Sequence, residues 1–338
     1  MVAVNPMKLM FWHGSARRGG MALAASVHSC EPEDGVTLID RQSPSLAARP
    51  ASVAVGAAHE SRGATLRRWI LGLLWFLKPP RLYGVPAMLA VLAKHTIGLG
   101  LPAGALPDPD RALSYPDGLA GICTDLSVPT LMAAYAKGLF PLAHVGPQKW
   151  WAPRERMVLL PEHIHISKTV RRLLRLKQFE VTFDTAFGAV IRACAEPRAG
   201  YPQLTWIRPD IIAAYEALHD AGYAHSVEVW DRAGNLAGGL YGVAVGKAFV
   251  TESMFARQAD ASKIGLITLS AHLQKWGFVL NDAKRDSGHL RSLGFTLMPR
   301  SEFNTLMARA CSKPGRPGAW AVDKSIDVFQ WNLRDNTV

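Results

Sequence analysis

The chain has 338 residues, 49% of them hydrophobic and 19% charged, with a formal net charge of +11 at pH 7. This composition fits globular material with a sizeable core and room for two domains, and excludes dependence on disulfide staples. The positive balance implies polyanionic partners, nucleic acid or an anionic membrane surface, without choosing between them.

Met1 to about Leu66 carries Ser, Ala, Gly and Arg without a helical or strand period, and reads as a mobile extension or an over-called start, to which no chemistry is assigned. Trp69 to Leu77 is strongly apolar, but Lys78-Pro79-Pro80-Arg81 stops it well short of the roughly 20 residues of a membrane span. It is also placed wrongly for a signal peptide, and reads as a buried helix or strand, with surface anchoring as the alternative. Pro79 to Asp110 is dense in Pro and Gly and reads as a linker holding one short helix around Ala87 to Leu92, with ordered structure starting near Leu106.

From there the signals sharpen. Ser127 as N-cap and Gly138 as terminator predict a helix over Val128 to Lys137. Phe140-Pro141 then turns the chain into Trp150-Trp151-Ala152-Pro153, where paired indoles either plug a domain boundary or face a substrate. In Ser167 to Gln178, Lys168, Arg171, Arg172 and Arg175 recur at helical spacing, with Val170, Leu173 and Leu174 on the other side. Four cations without an acidic neighbour on one stripe predict a contact with a phosphate backbone.

A strand over Phe179 to Phe183 and helices over Ala186 to Cys194 and Ile211 to Ala221 follow. Then come three strands, His225 to Trp230, Leu236 to Val245 and Ala248 to Phe255, a buried helix over Ser262 to Trp276, and a strand over Phe278 to Asn281. Antiparallel strands with packed helices make the fold class α+β.

Several polar groups stand out against these apolar runs. Cys30, Cys123, Cys194 and Cys311 contain no Cys-x-x-Cys pair, which favours a reducing cytosol over a zinc ribbon or a disulfide framework. His163 and His165 are spaced like a metal pair, but no third ligand joins them, and no metal is expected. Gly238-Gly239-Leu240-Tyr241-Gly242 lies between strand residues, so it reads as close packing within a sheet and not as a phosphate loop. Glu252 sits amid Val250, Met254 and Phe255, where a carboxylate needs a partner, either a lysine such as Lys263 or a substrate ammonium. Asp282 and Lys284, two apart on an extended segment, are placed to form an ion pair.

In order along the chain, Asp117-Gly118-Leu119, Phe140-Pro141, Trp150-Trp151-Ala152-Pro153, Thr205-Trp206-Ile207, Ala224-His225-Ser226-Val227-Glu228-Val229-Trp230, Glu252-Ser253-Met254-Phe255 and Ser292-Leu293-Gly294 form a dense series. The series resembles the bacterial leucyl/phenylalanyl-tRNA–protein transferases over roughly Leu106 to Phe303. That resemblance implies a cytoplasmic, cofactor-independent enzyme. It would move leucine or phenylalanine from aminoacyl-tRNA to the N-terminal Lys or Arg of an acceptor protein, marking it for degradation. It implies a small N-terminal domain (106–153) ahead of an acetyltransferase-like (GNAT-like) catalytic domain (154–310) with a mixed sheet flanked by helices. A 1–105 extension and a 311–338 tail complete a chain expected to be monomeric, without stable membrane insertion.

Carried over residue by residue, the resemblance implies a substrate site of Tyr135, Trp151, Trp206, Glu252, Ser253, Met254 and His289. It implies Asp282 and Lys284 as the catalytic pair, and Lys168, Arg171, Arg172 and Arg175 as the tRNA contact. The sequence departs from the family pattern at Lys284, where the family usually has Gln as proton acceptor. Further departures are Leu142 after Phe-Pro, Thr251 before Glu252, Ala256 after Phe255, and Ser287-Gly288 before His289. These leave open a different amine acceptor, or a non-catalytic tRNA-binding relative.

Overall fold

Residues 62–76, 82–102, 104–197 and 204–331 are described in the computed structural model. Helix α1 (Arg62–Phe76) contains most of the apolar run expected to be buried. Trp69 and Ile70 are nevertheless 55% and 53% exposed. The helix is held by another face. Arg68 donates from Nη1 to the carbonyls of Thr205 (2.7 Å) and His144 (3.3 Å), and Gly72 lies so close to Val145 that a Cβ would come within 2.3 Å of its Cγ2. Helix α2 (Val85–Thr96) is longer than expected, because Pro86 stands in its first turn, where proline starts a helix instead of breaking it. Helical structure thus precedes Leu106. Of the extension expected from Met1 to about Leu66, residues 1–61 lie outside the described residues.

Strand β1 (Leu119–Ile122), helix α3 (Val128–Ala136), β2 (Phe140–Pro141) and β3 (Lys149–Trp151) form a small layer with strand order β1-β3-β2. Ser127 occupies the N-cap position of α3, but its hydroxyl donates to Asp125 Oδ2 at 2.8 Å and does not cap the helix. Strand β4 (Glu155–Leu159) begins the main sheet and is followed by α4 (Lys168–Arg175), β5 (Glu180–Phe183), α5 (Phe187–Ala195) and α6 (Pro209–Asp220). Next come β6 (Ala224–Trp230), β7 (Leu236–Val245), β8 (Ala248–Ala256) and α7 (Ala261–Lys275). The remaining elements are β9 (Leu280–Asp282), α8 (Gly288–Arg291), β10 (Thr296–Pro299) and α9 (Arg300–Cys311).

The seven main strands run β10-β4-β9-β8-β7-β6-β5. All pairs are antiparallel except β8 with β9. A parallel pair needs a crossover, which α7 supplies. Having sheet on one side and chain on the others, α7 is apolar nearly all round and buried from Ala261 to Leu273 except at Lys263. The fold is therefore a mixed α/β arrangement with two sheets.

Alternation along the strands divides the interior in two. On one face Val250, Leu280, Tyr241 and Val158 pack with α3, α5, α6 and α9. On the other, Phe249, Leu240 and Met157 pack with α7 and with Val170 of α4. Trp320, in the segment expected to be a tail, is only 3% exposed and stacks on His225 with ring centres 3.6 Å apart. Part of that segment therefore closes the core.

Candidate active site

In the ladder between β7 and β8, Tyr241 faces Ser253 and Gly242 faces Thr251, which leaves Glu252 as an extra residue in a bulge. A bulge re-aims one side chain against the alternation of its strand. Here it holds the Glu252 carboxylate, 7% exposed, on the face packed by α3 and α6. Glu252 Oε1 accepts from the Tyr135 hydroxyl of α3 at 2.8 Å, and that hydroxyl also meets the hydroxyl of Tyr215 on α6. Burial, and then the charge of Glu252, push the ionisation of Tyr135, Tyr215 and Tyr241 far above that of an ordinary phenol. All three therefore stay neutral and able to donate. The buried hydroxyl of Tyr241 has no hydrogen-bond partner among the described residues.

The partner of Glu252 is Lys284, not Lys263, which pairs with Asp260 at 2.7 Å. Lys284 Nζ stands 2.7 Å from Glu252 Oε2 and 3.5 Å from the Glu252 carbonyl oxygen. Lys284 Nζ thus pairs directly with Oε2, and a carboxylate oxygen, with two lone pairs, keeps one acceptor position beside such a contact. The rings of Phe140 and Trp206 lie 5.3 and 5.4 Å from the ammonium, within cation–π range. Trp206 itself is half-buried.

Asp282 does not pair with Lys284, as its position two residues away suggested. Residues i and i+2 share a face only while the strand continues, and β9 ends at Asp282. The chain then turns through Lys284 at φ 68°, a left-handed conformation uncommon for a non-glycine residue. Asp282 Oδ1 accepts from the Lys284 backbone N–H at 2.8 Å and so holds that turn. The rest of the carboxylate is clamped by Arg156 of β4, through Nε at 3.3 Å and a short contact from Nη2 to Oδ2. Arg156 donates further to the Gly138 carbonyl and lies against the rings of Phe303 (4.2 Å) and Phe140 (5.2 Å). Both ions of this pair are buried, Asp282 at 0% and Arg156 at 1% exposure. Asp282 thus acts on the site through the backbone of Lys284.

The other expected residues divide between this cluster and its surroundings. Trp151 is half-buried, and its indole N–H donates to the Leu142 carbonyl at 2.8 Å. It lines a neighbouring cavity of about 480 Å³ together with Leu142, Lys149, Arg285 and, from α2, Met88. Lys149 in this wall is pulled down to about 8 by burial and by Arg208. Ser253, half-buried, follows the bulge, whereas Met254 packs into the opposite face of the sheet. His289 opens α8 with Lys263 and Asp260 as its charged neighbours, which associates it with the start of α7 and not with Glu252.

The cationic stripe forms as expected on α4, capped by Ser167, whose Oγ accepts from the Val170 N–H at 3.4 Å. Lys168, Arg172 and Arg175 are exposed, and the half-buried Arg171 has one buried Nη1 without a hydrogen bond. Val170, Leu173 and Leu174 seat the helix on the α7 face, across the sheet from Glu252. Among the described residues no cluster of His, Cys, Asp or Glu is arranged to hold a metal ion.

Arg156, Tyr215 and Phe140 belong to the cluster but did not emerge as site residues from the sequence. The one signal for Arg156 is a charge at the head of the apolar run Met157-Val158-Leu159-Leu160. Tyr215 sits in an amphipathic helix where nothing separates it from ordinary core.

The sequence model of the leucyl/phenylalanyl-tRNA protein transferase matches residues 158–308, and that of its N-terminal domain matches residues 124–154. A leucyl/phenylalanyl-tRNA–protein transferase of Aromatoleum aromaticum is 48% identical over 223 residues, 66% of this chain and 93% of that protein. This chain belongs to the leucyl/phenylalanyl-tRNA–protein transferase family. The protein of the same description from Azotobacter vinelandii is 46% identical over 211 residues, 62% of this chain and 92% of its own. The solved structure of L-PGS from Bacillus licheniformis overlaps 43% of this chain and 45% of its own at 10% identity and a TM-score of 0.28, too loose a likeness to carry any argument. Within this chain the two family matches take in Tyr135, Phe140, Trp151, Glu252, Asp282 and Lys284, while α1 and α2 lie ahead of both.

Proposed function

We propose that this chain transfers leucine or phenylalanine from aminoacyl-tRNA to the N-terminal Lys or Arg of acceptor proteins, marking them for degradation. The observation that carries the reading is the Glu252 carboxylate, turned inward by a bulge, held by Tyr135 and faced by Lys284 between Phe140 and Trp206.

The reaction needs alignment and charge control more than a covalent nucleophile. The acceptor's neutral α-amine attacks the ester carbonyl of the donor. The C–N bond forms, the C–O bond to the tRNA ribose breaks, and the amine proton leaves with the ribose oxygen. In this reading Glu252 Oε2, with its open acceptor position, receives an N–H of the reacting amines. Lys284 donates toward the developing oxyanion, and its positive charge keeps the incoming amine neutral. Asp282 and Arg156 are positioning residues that hold the Lys284 turn. Trp206 and Trp151 border the apolar slot for the leucyl or phenylalanyl side chain, where each methylene contributes about 1–3 kcal/mol of selectivity. Lys168, Arg171, Arg172 and Arg175 take the phosphate backbone of the tRNA, from the helix layer on the opposite face of the sheet.

The parallel β8–β9 pair in an otherwise antiparallel sheet supports an acetyltransferase-like catalytic domain, with the β1-β3-β2 layer and α3 as the small N-terminal domain. No cofactor enters the reading. Among the described residues no helix is long and apolar enough to cross a membrane; a cytoplasmic, monomeric enzyme is part of the same proposal.

The test is transfer of labelled leucine or phenylalanine from charged tRNA to peptides beginning with Arg, Lys or Ala. Transfer restricted to Arg and Lys is the expected result. The cation at Lys284 favours one further reading, a changed amine acceptor, which transfer only to another amine would select. Salt-sensitive tRNA binding without turnover would mark a non-catalytic relative.

A further inference from the structure

The cavity beside Trp151 is not part of the Glu252 cluster, but it adjoins it at two points. Arg285 in its wall follows Lys284 in the chain, and Leu142 and Trp151 in its wall flank Phe140, through chain position and strand register respectively. Its outer wall comes from Gly84 and Met88, which lie ahead of the residues matched by the family. At about 480 Å³ it has room for one or two amino-acid residues.

The charges that line it are unbalanced. Lys149, Arg154 and Arg285 stand against the single carboxylate of Asp117, and Asp117 is already engaged by Arg154 at 3.2 Å. Arg285 is exposed and has no ion-pair partner among the described residues. A cavity of apolar walls with a surplus of cations attracts an anionic group on a short apolar stem and repels a cationic one.

We infer that this cavity is an acceptor subsite that takes an acidic side chain, Asp or Glu, at the second position of the acceptor protein. The inference rests on the transferase reading above. The α-amine of the acceptor must reach the Glu252–Lys284 pair, so the N-terminal residue occupies the centre and the next residue reaches the adjoining cavity. A basic second residue meets Arg285 and Lys149 instead, and is disfavoured. The extension helix α2, by closing the outer wall, makes this selectivity a property of the full chain.

The experiment uses the full chain, labelled Leu-tRNA and peptides that begin Arg-Glu, Arg-Asp, Arg-Ala and Arg-Lys. The expected result is kcat/KM higher for Arg-Glu and Arg-Asp than for Arg-Lys by roughly fivefold or more, the scale of a partly exposed charge pair. Arg285→Glu is expected to abolish or invert that order without changing KM for Leu-tRNA. Leu142→Trp, which fills the cavity without touching its charge, is expected to raise KM for the acidic peptides and to compress the series. Equal rates for all four peptides in the wild-type chain overturn the inference and leave the transferase reading standing. So does an Arg285→Glu chain whose only defect is a higher KM for Leu-tRNA, since the cavity then serves the RNA. Absence of transfer to every peptide overturns both.

Discussion

Glu252 and Lys284 are both nearly withdrawn from water, so each is the main reason the other can remain charged there. Removing one partner of a buried pair strands the other and costs about 3–5 kcal/mol, whereas removing both together is far milder. Glu252→Gln and Lys284→Gln are each expected to lower the urea unfolding midpoint strongly. The double variant should recover most of that loss, a coupling of more than about 1 kcal/mol in the cycle. Strictly additive losses would show that the two side chains do not share a site. The same logic separates two substitutions at Asp282. Asp282→Ala strands Arg156 and removes the acceptor for the Lys284 N–H. Asp282→Asn keeps that acceptor, and should therefore lose less activity than Asp282→Ala even where both lose stability. Tyr135→Phe removes only the hydroxyl that donates to Glu252, a change worth about 1–3 kcal/mol of stability that should also reduce turnover.

At the level of elements, the bulge that presents Glu252 depends on what lies opposite. A Cβ at Gly242 would come within 2.4 Å of the Val250 carbonyl oxygen and 2.6 Å of the Phe249 ring. Gly242→Ala must therefore spread β7 from β8 beside the bulge, and is expected to cost about 1–3 kcal/mol in thermal unfolding together with most of the activity. On α4, replacing Lys168, Arg172 and Arg175 by Gln should leave the fold intact, because these side chains are exposed. It should weaken tRNA binding and flatten its dependence on log salt by about one unit for each phosphate that the helix no longer neutralises.

The long elements were legible because their periods are clean. The strand over Leu236–Val245 and the buried helix around Ala261–Lys275 have the bounds, to within a residue, that alternation and apolar content predict. β4 was not legible, since it is five residues long and its first two, Glu155 and Arg156, are charged. The partners within the site were not legible either. Sequence spacing suggested that Asp282 meets Lys284, but a left-handed turn two residues after the strand redirected the lysine to Glu252, 32 positions earlier. Such a pairing belongs to tertiary structure, and no local pattern encodes it.

Across the whole molecule, the buried apolar side chains among the described residues begin at Leu119 and run to Trp320. None of these comes from α1 or α2, whose Leu66, Trp69, Ile70 and Leu89 are all exposed by more than half. The two helices rest on the body through the Arg68 hydrogen bonds, Gly72 against Val145, the cavity wall, and the packing of half-buried α2 side chains on β1. A chain starting at Leu106 therefore keeps the core, and its melting temperature should fall by no more than a few degrees, the effect of losing about 1 kcal/mol in a protein of this size. It also sheds a cluster of exposed apolar side chains, so it should be less prone to self-association, as read by light scattering at matched concentration. A collapse of the melting transition on truncation would mean that the extension supports the core, which its exposed apolar face argues against.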